Sequence, residues 1–67
     1  MKMIHVQSSN LVAVGYDNGT LVIEFHSGTY EYRGVPANIY QGLMAASSHG
    51  EYHARYIKNS YQYKRIR

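Results

Sequence analysis

Two dipeptides, Asn18-Gly19 and Ser27-Gly28, limit what this chain can fold into more than any other feature. They punctuate three runs that alternate apolar and polar residues: LVAVGYD, TLVIEFH and TYEYRG. Asn-Gly is the strongest short-range hairpin signal, because both residues of a tight type I′ turn take positive φ. Ser-Gly is a weaker signal of the same kind. With Asn18-Gly19 as the loop, Tyr16 faces Leu21, Val14 faces Ile23, and Val12 faces Phe25. With Ser27-Gly28 as the second loop, Phe25 faces Tyr30 and Ile23 faces Tyr32. One face then collects Val12, Val14, Tyr16, Leu21, Ile23, Phe25, Tyr30 and Tyr32. The other holds Ala13, Gly15, Val22, Glu24, His26, Thr29, Glu31 and Arg33. Two independent turns that yield one apolar face point to a three-stranded antiparallel β-meander. Side chains alternate along a strand, so a one-residue slip in either turn is expected to scramble this separation.

The hydrophobic period changes after Pro36, a residue suited to the first position of a helix because its missing N–H costs nothing there. Ile39, Tyr40, Leu43 and Met44 fall at helical spacing and form one apolar stripe. Gly42 weakens this helix by up to ~1 kcal/mol relative to alanine unless close packing against the sheet offsets the loss. Ser48-His49-Gly50-Glu51 reads as a capping box opening a second short helix, with Tyr52 and Tyr56 one turn apart on one side. Asn59-Ser60 ends that helix, and YQYKRIR closes with strand-like alternation. The expected fold class is therefore α+β: the three-stranded meander, covered on one face by one or two short helices, with room for an extra C-terminal strand.

At 67 residues the chain has room for one domain, residues 1–67, and one small core. It has no cysteine to form disulfides or a thiolate metal site, and no tryptophan. The apolar payload falls to eight tyrosines, one phenylalanine and the aliphatics. Tyr30 and Tyr32, in the stretch GTYEYRGVP, share a face with Leu21, Ile23 and Phe25, and a helical stripe is available to cover it. They read as core residues with hydroxyls at the edge, rather than as a platform for nucleic-acid bases on an open sheet face. No segment reaches the ~18 apolar residues of a membrane helix, and the first five residues are too short for a secretory leader, so a cytoplasmic protein without membrane partners is expected.

Chemistry in the conventional patterns is sparse. His49 and His53 lie four apart, but the zinc-protease pattern needs glutamate directly after the first histidine, where Gly50 stands, and no third ligand is evident. Glu24 and Glu31 are expected cross-strand neighbours on the outer face, a solvated pair rather than an acid–base couple. No serine has a nucleophile-elbow context, and no glycine-rich phosphate loop is present. Neither enzymatic activity, nor a metal, nor a cofactor is expected.

Charge is placed unevenly. Residues 1–50 carry Lys2 and Arg33 against Asp17, Glu24 and Glu31, whereas residues 51–67 carry Arg55, Lys58, Lys64, Arg65 and Arg67 against Glu51 alone. Tyrosines interleave those cations. Phosphates would attract the cations, and a ring such as Tyr63 can stack on an unpaired base for ~1–3 kcal/mol. Arg55, Lys58, Tyr63, Lys64, Arg65 and Arg67 are thus the candidate nucleic-acid contacts. The competing reading has Tyr56, Ile57 and Tyr61 closing the core while the cations are solvated.

The stretches SSN (Ser8–Asn10), GYD (Gly15–Asp17), LVIEF (Leu21–Phe25), YEY, VP (Val35-Pro36) and YQGLMAASSHGEYHARYIKNSYQY (Tyr40–Tyr63) together resemble the KTSC domain. That family takes its name from lysyl-tRNA synthetases, some of which carry it at the C-terminus. It also occurs as small stand-alone bacterial and phage-type proteins. Its best-marked feature is a central Tyr-x-Tyr, matched by Tyr30 and Tyr32. The resemblance implies RNA as a partner by association with the synthetase. The function expected is a non-catalytic binding module for RNA, with a protein-interaction accessory domain as the alternative.

Overall fold

The computed structural model describes residues 1–67. Five strands form one antiparallel sheet in sequence order: β1 (Met3–His5), β2 (Leu11–Asp17), β3 (Thr20–Phe25), β4 (Gly28–Arg33) and β5 (Gln62–Arg65). Between β4 and β5 the chain makes helix α1 (Ala37–Ala45), helix α2 (His49–Tyr52) and a contiguous π-helical turn, His53–Ile57. The α+β class holds, and the three-stranded meander is corrected to five strands. β5 is the C-terminal strand the alternation allowed for. β1 was not foreseen, because three residues beside β2 carry neither a turn signal nor a run long enough to show a period.

The first hairpin is as expected: Asn18 and Gly19 both take positive φ, 50° and 87°, and Tyr16 pairs with Leu21 and Val14 with Ile23. The second hairpin turns one residue earlier. Phe25 pairs with Gly28, so the loop is His26-Ser27, and Ile23 faces Tyr30 while Leu21 faces Tyr32. The slip leaves the faces intact, contrary to expectation. Moving a two-residue loop by one position changes every partner by two, an even number, and the pleat repeats every two residues. It also separates the two glutamates: Glu24 pairs with Thr29, and Glu31 with Val22. A second correction falls at Val12, where the register shifts between Leu11 and Ala13. This bulge makes Leu11, not Val12, the partner of Phe25, and Leu11 is fully buried.

The apolar face is covered by the helices. Leu11, Val14, Leu21, Ile23, Tyr32, Val35, Leu43 and Ile57 form one buried cluster, with Ile39, Tyr40 and Met44 of α1 packed against it. Fully burying each such aliphatic contributes ~1.5–3 kcal/mol, whereas an exposed ion pair contributes ~0–1, so this cluster holds the fold. Tyr16 stacks on Tyr40 with ring centroids 4.6 Å apart and donates its hydroxyl to the Val35 carbonyl at 2.6 Å, tying the sheet to the start of α1. Gly42 is explained by the second helix rather than the sheet. A β-carbon there would collide with the Tyr52 hydroxyl and lie 2.7 Å from its ring. Ser48 caps α2 by accepting the Glu51 backbone N–H at 3.2 Å, the half of the capping box that the serine supplies. The Glu51 carboxylate lies 3.9 Å from Arg55.

Candidate functional site

The helices stop short of one corner of the tyrosine face, and the gap is a cleft of about 260 Å³. Strand alternation places its walls. β4 sends Tyr30 and Tyr32 to the helix side, and β5 sets Tyr63 opposite Tyr32 and Arg65 opposite Tyr30. Phe25 and Ser27, from the end of β3 and the turn after it, and His53 and Lys58, from the start of the π turn and just past its end, complete the lining. The rings contact one another: Tyr63 lies 5.7 Å from Tyr32 and 6.0 Å from Tyr30, and Phe25 meets Tyr30 edge-on at 5.8 Å. Tyr63 nonetheless keeps 59% of its surface exposed, while Tyr32 is 3% exposed. The tyrosine pair of β4 therefore divides its work. Tyr32 is core, and Tyr30 is half-buried at the cleft wall.

Inside the cleft, a short hydrogen bond of 2.7 Å joins the Tyr32 hydroxyl to His53 Nε2. Either the phenol donates to Nε2 or the Nε2–H tautomer donates to the phenol oxygen, and both forms keep the pair neutral. Burial, with minor help from Tyr63 and Tyr30, pushes the Tyr32 pKa up to about 12. Burial first, and Lys58 second, lower that of His53. Both shifts favour the neutral pair that the hydrogen bond needs. His53 also packs edge-on against Phe25 at 4.9 Å. A π turn closes i→i+5 rather than i→i+4, here with the Lys58 N–H on the His53 carbonyl at 2.9 Å. It brings both ends of the turn to one cleft, and such turns are frequent at functional sites.

The candidate contacts read from the sequence are distributed rather than gathered. Lys58 and Tyr63 line the cleft, and Arg65 lies beside it, its guanidinium donating to the Ser27 carbonyl at 2.9 Å and to the Arg67 carbonyl at 3.0 Å. Lys64 points to the opposite face of the sheet, where it stands across from Glu31. Arg67 continues the strand by pairing its backbone with Thr29. Arg55 sits on the exposed side of the π turn near Glu51. Of the two histidines weighed as metal ligands, His49 bonds the Leu43 carbonyl through Nδ1 and His53 bonds Tyr32. The sequence did not single out Phe25 and His53 as members of this site. A lone histidine on a short helix carries no periodic signal for such a role.

The sequence model of the KTSC domain matches residues 7–61. The chain belongs to the KTSC domain family. An uncharacterized protein of Stutzerimonas stutzeri (strain A1501) is 40% identical, with 98% of this chain and 99% of that protein aligned. The crystal structure of a KTSC domain protein from Yersinia pestis superposes with a TM-score of 0.95 at 36% identity, covering 98% of this chain and 97% of that one. The KTSC assignment thus rests on nearly the whole fold, and it brings no activity with it. No helix of this KTSC domain is long and apolar enough to cross a membrane.

Proposed function

We propose that this KTSC domain is a non-catalytic module that binds single-stranded RNA along β5 and the mouth of the aromatic cleft. One observation carries the reading. Tyr63, the most exposed large hydrophobic side chain, shares the cleft with Lys58 and its strand face with Arg65. The two side-chain ion pairs are Arg33–Glu31 and Arg55–Glu51, so neither Lys58 nor Arg65 is paired with an aspartate or glutamate side chain. Exposed aromatic rings flanked by unopposed cations suit unpaired bases and the phosphates between them. The occurrence of related domains on lysyl-tRNA synthetases favours RNA over DNA. The non-catalytic reading is supported by the Tyr32–His53 pair, which holds a phenol whose pKa is raised to about 12 and a neutral imidazole, with no carboxylate among the residues lining the cleft.

The test is an NMR titration of the whole chain with a pool of short RNAs at two salt concentrations. Two phosphate contacts on single-stranded RNA, from Lys58 and Arg65, give a slope of log affinity against log salt near ~−1.4. Lys58→Gln and Arg65→Gln should each flatten that slope by somewhat under ~1, whereas Lys64→Gln, on the far face, should leave it nearly unchanged. Absence of binding at low salt would defeat the reading and turn attention to the unpaired outer edge of β5 as a docking strand for a protein.

A further inference from the structure

We propose that the cleft is a pocket for a single nucleobase, with Tyr63 and Tyr30 supplying the stacking surface, the Tyr32–His53 pair reading the base edge, and Lys58 holding the attached phosphate. The proposal rests on the single-strand reading above and goes further, because it turns a general stacking surface into a site with a discriminating interior. Size is the first argument. At about 260 Å³ the space falls just below the ~300–1,000 Å³ of pockets that enclose whole drug-sized ligands, so a dinucleotide cofactor is too large and one flat ring system with its sugar outside fits.

Chemistry is the second argument. Phe25, Tyr30 and Tyr63 offer flat ring surface, and the side-chain polar groups of the lining are the three tyrosine hydroxyls, the imidazole of His53, the hydroxyl of Ser27 and the ammonium of Lys58. The bond between the Tyr32 oxygen and His53 Nε2 orients both groups and fixes what valence the oxygen has left for a base edge. Stacking is indifferent to base identity, whereas an oriented polar group is not. The third argument is charge. The lining contains no carboxylate, Lys58 is unpaired, and Arg65 is anchored at Ser27, so the mouth favours an anionic group over a neutral or cationic one.

The test uses the full chain with the four ribonucleoside monophosphates and the corresponding nucleosides, followed by backbone and tyrosine-ring NMR shifts. Shifts should centre on Phe25, Tyr30, His53, Lys58 and Tyr63, with nucleosides weaker than nucleotides. Lys58→Gln should bring each nucleotide down towards its nucleoside. Tyr63→Leu, a change at an exposed ring that leaves the core alone, should weaken all four nucleotides by about ten-fold or more. Tyr32→Phe should instead change the ranking among the four, and an unaltered ranking would remove the edge-reading role. Oligonucleotide binding with no cleft shifts from any mononucleotide would overturn the pocket while leaving the single-strand reading in place. Mononucleotides that occupy the cleft of a domain blind to oligonucleotides would keep the pocket and remove the strand.

Discussion

Tyr32→Phe isolates the hydrogen bond at the centre of the domain. The change keeps the ring in its packed position and deletes only the hydroxyl that reaches His53 Nε2 at 2.7 Å. His53 is 9% exposed, so little water can replace the lost partner. Leaving the buried ring nitrogen unsatisfied costs ~1–3 kcal/mol, whereas a net hydrogen bond at the surface would cost ~1 or less. A domain of this size loses ~4–8 °C of Tm per kcal/mol, which gives a drop of roughly 4–24 °C. Tyr32→Ala removes the ring as well, at ~3–5 kcal/mol, about the whole net stability of so small a core, and should yield an unfolded chain. Glu31→Ala is the control on the neighbouring position. It breaks a pair with Arg33 at 2.8 Å whose guanidinium side chain is 66% exposed, worth ~0–1 kcal/mol. Thermal melts followed by far-UV circular dichroism compare the three, with a one-dimensional NMR spectrum to confirm folding. A Tyr32→Phe variant that melts with the wild type would refute the hydrogen-bond argument, and a folded Tyr32→Ala with unchanged Tm would refute the assignment of Tyr32 to the core.

Other consequences follow from the same geometry. Burial and Lys58 hold the His53 pKa below the ordinary histidine value of 6.5. The unfolded chain therefore binds this proton first. Stability should be full above about pH 6.5 and fall as pH drops from there until the folded histidine also titrates; Tm measured against pH should show the fall, and His53→Gln should flatten it. Gly42→Ala should destabilise despite the ~1 kcal/mol gain in helix propensity, because the new methyl displaces Tyr52; a raised urea midpoint would contradict this. Ser48→Ala should cost ~1 kcal/mol through loss of the α2 cap, read as a lower urea midpoint with unchanged slope.

The parts of the fold that were legible from sequence are those governed by parity and period. Tyr30 and Tyr32 were assigned to the right face even though their partners were off by two, because an even error cannot exchange faces. Leu43 and its stripe are legible because the pairs Ile39-Tyr40 and Leu43-Met44 fall on the same face of α1, one turn apart. The bulge at Val12 was not, since both Leu11 and Val12 are acceptable core residues and only the three-dimensional pairing selects between them. The alternation of YQYKRIR already implies that Lys64 faces away from Tyr63 and Arg65, as the pairing with β4 bears out, whereas charge counted along the sequence places all the C-terminal cations on one surface. The joining of His53 to Tyr32 had no local signature, because it depends on where a π turn falls, and a π turn has no hydrophobic period to announce it.

That turn also carries a residue the segment does not need. A π turn fits one residue more into its circuit than an α-helix does. Ala54, Arg55 and Tyr56 are exposed, so each can be exchanged for another helix-tolerant residue at small cost. Omitting one of them converts the bond from the Lys58 N–H to the His53 carbonyl from i→i+5 to i→i+4, the ordinary α-helical closure. The flanks then keep nearly the same relation, and His53 and Ile57, now three positions apart, still share one face of the helix. A gap of a single residue between His53 and Lys58 would therefore leave both the bond to Tyr32 and the buried Ile57 in place, whereas a further residue inserted there would have no circuit to absorb it.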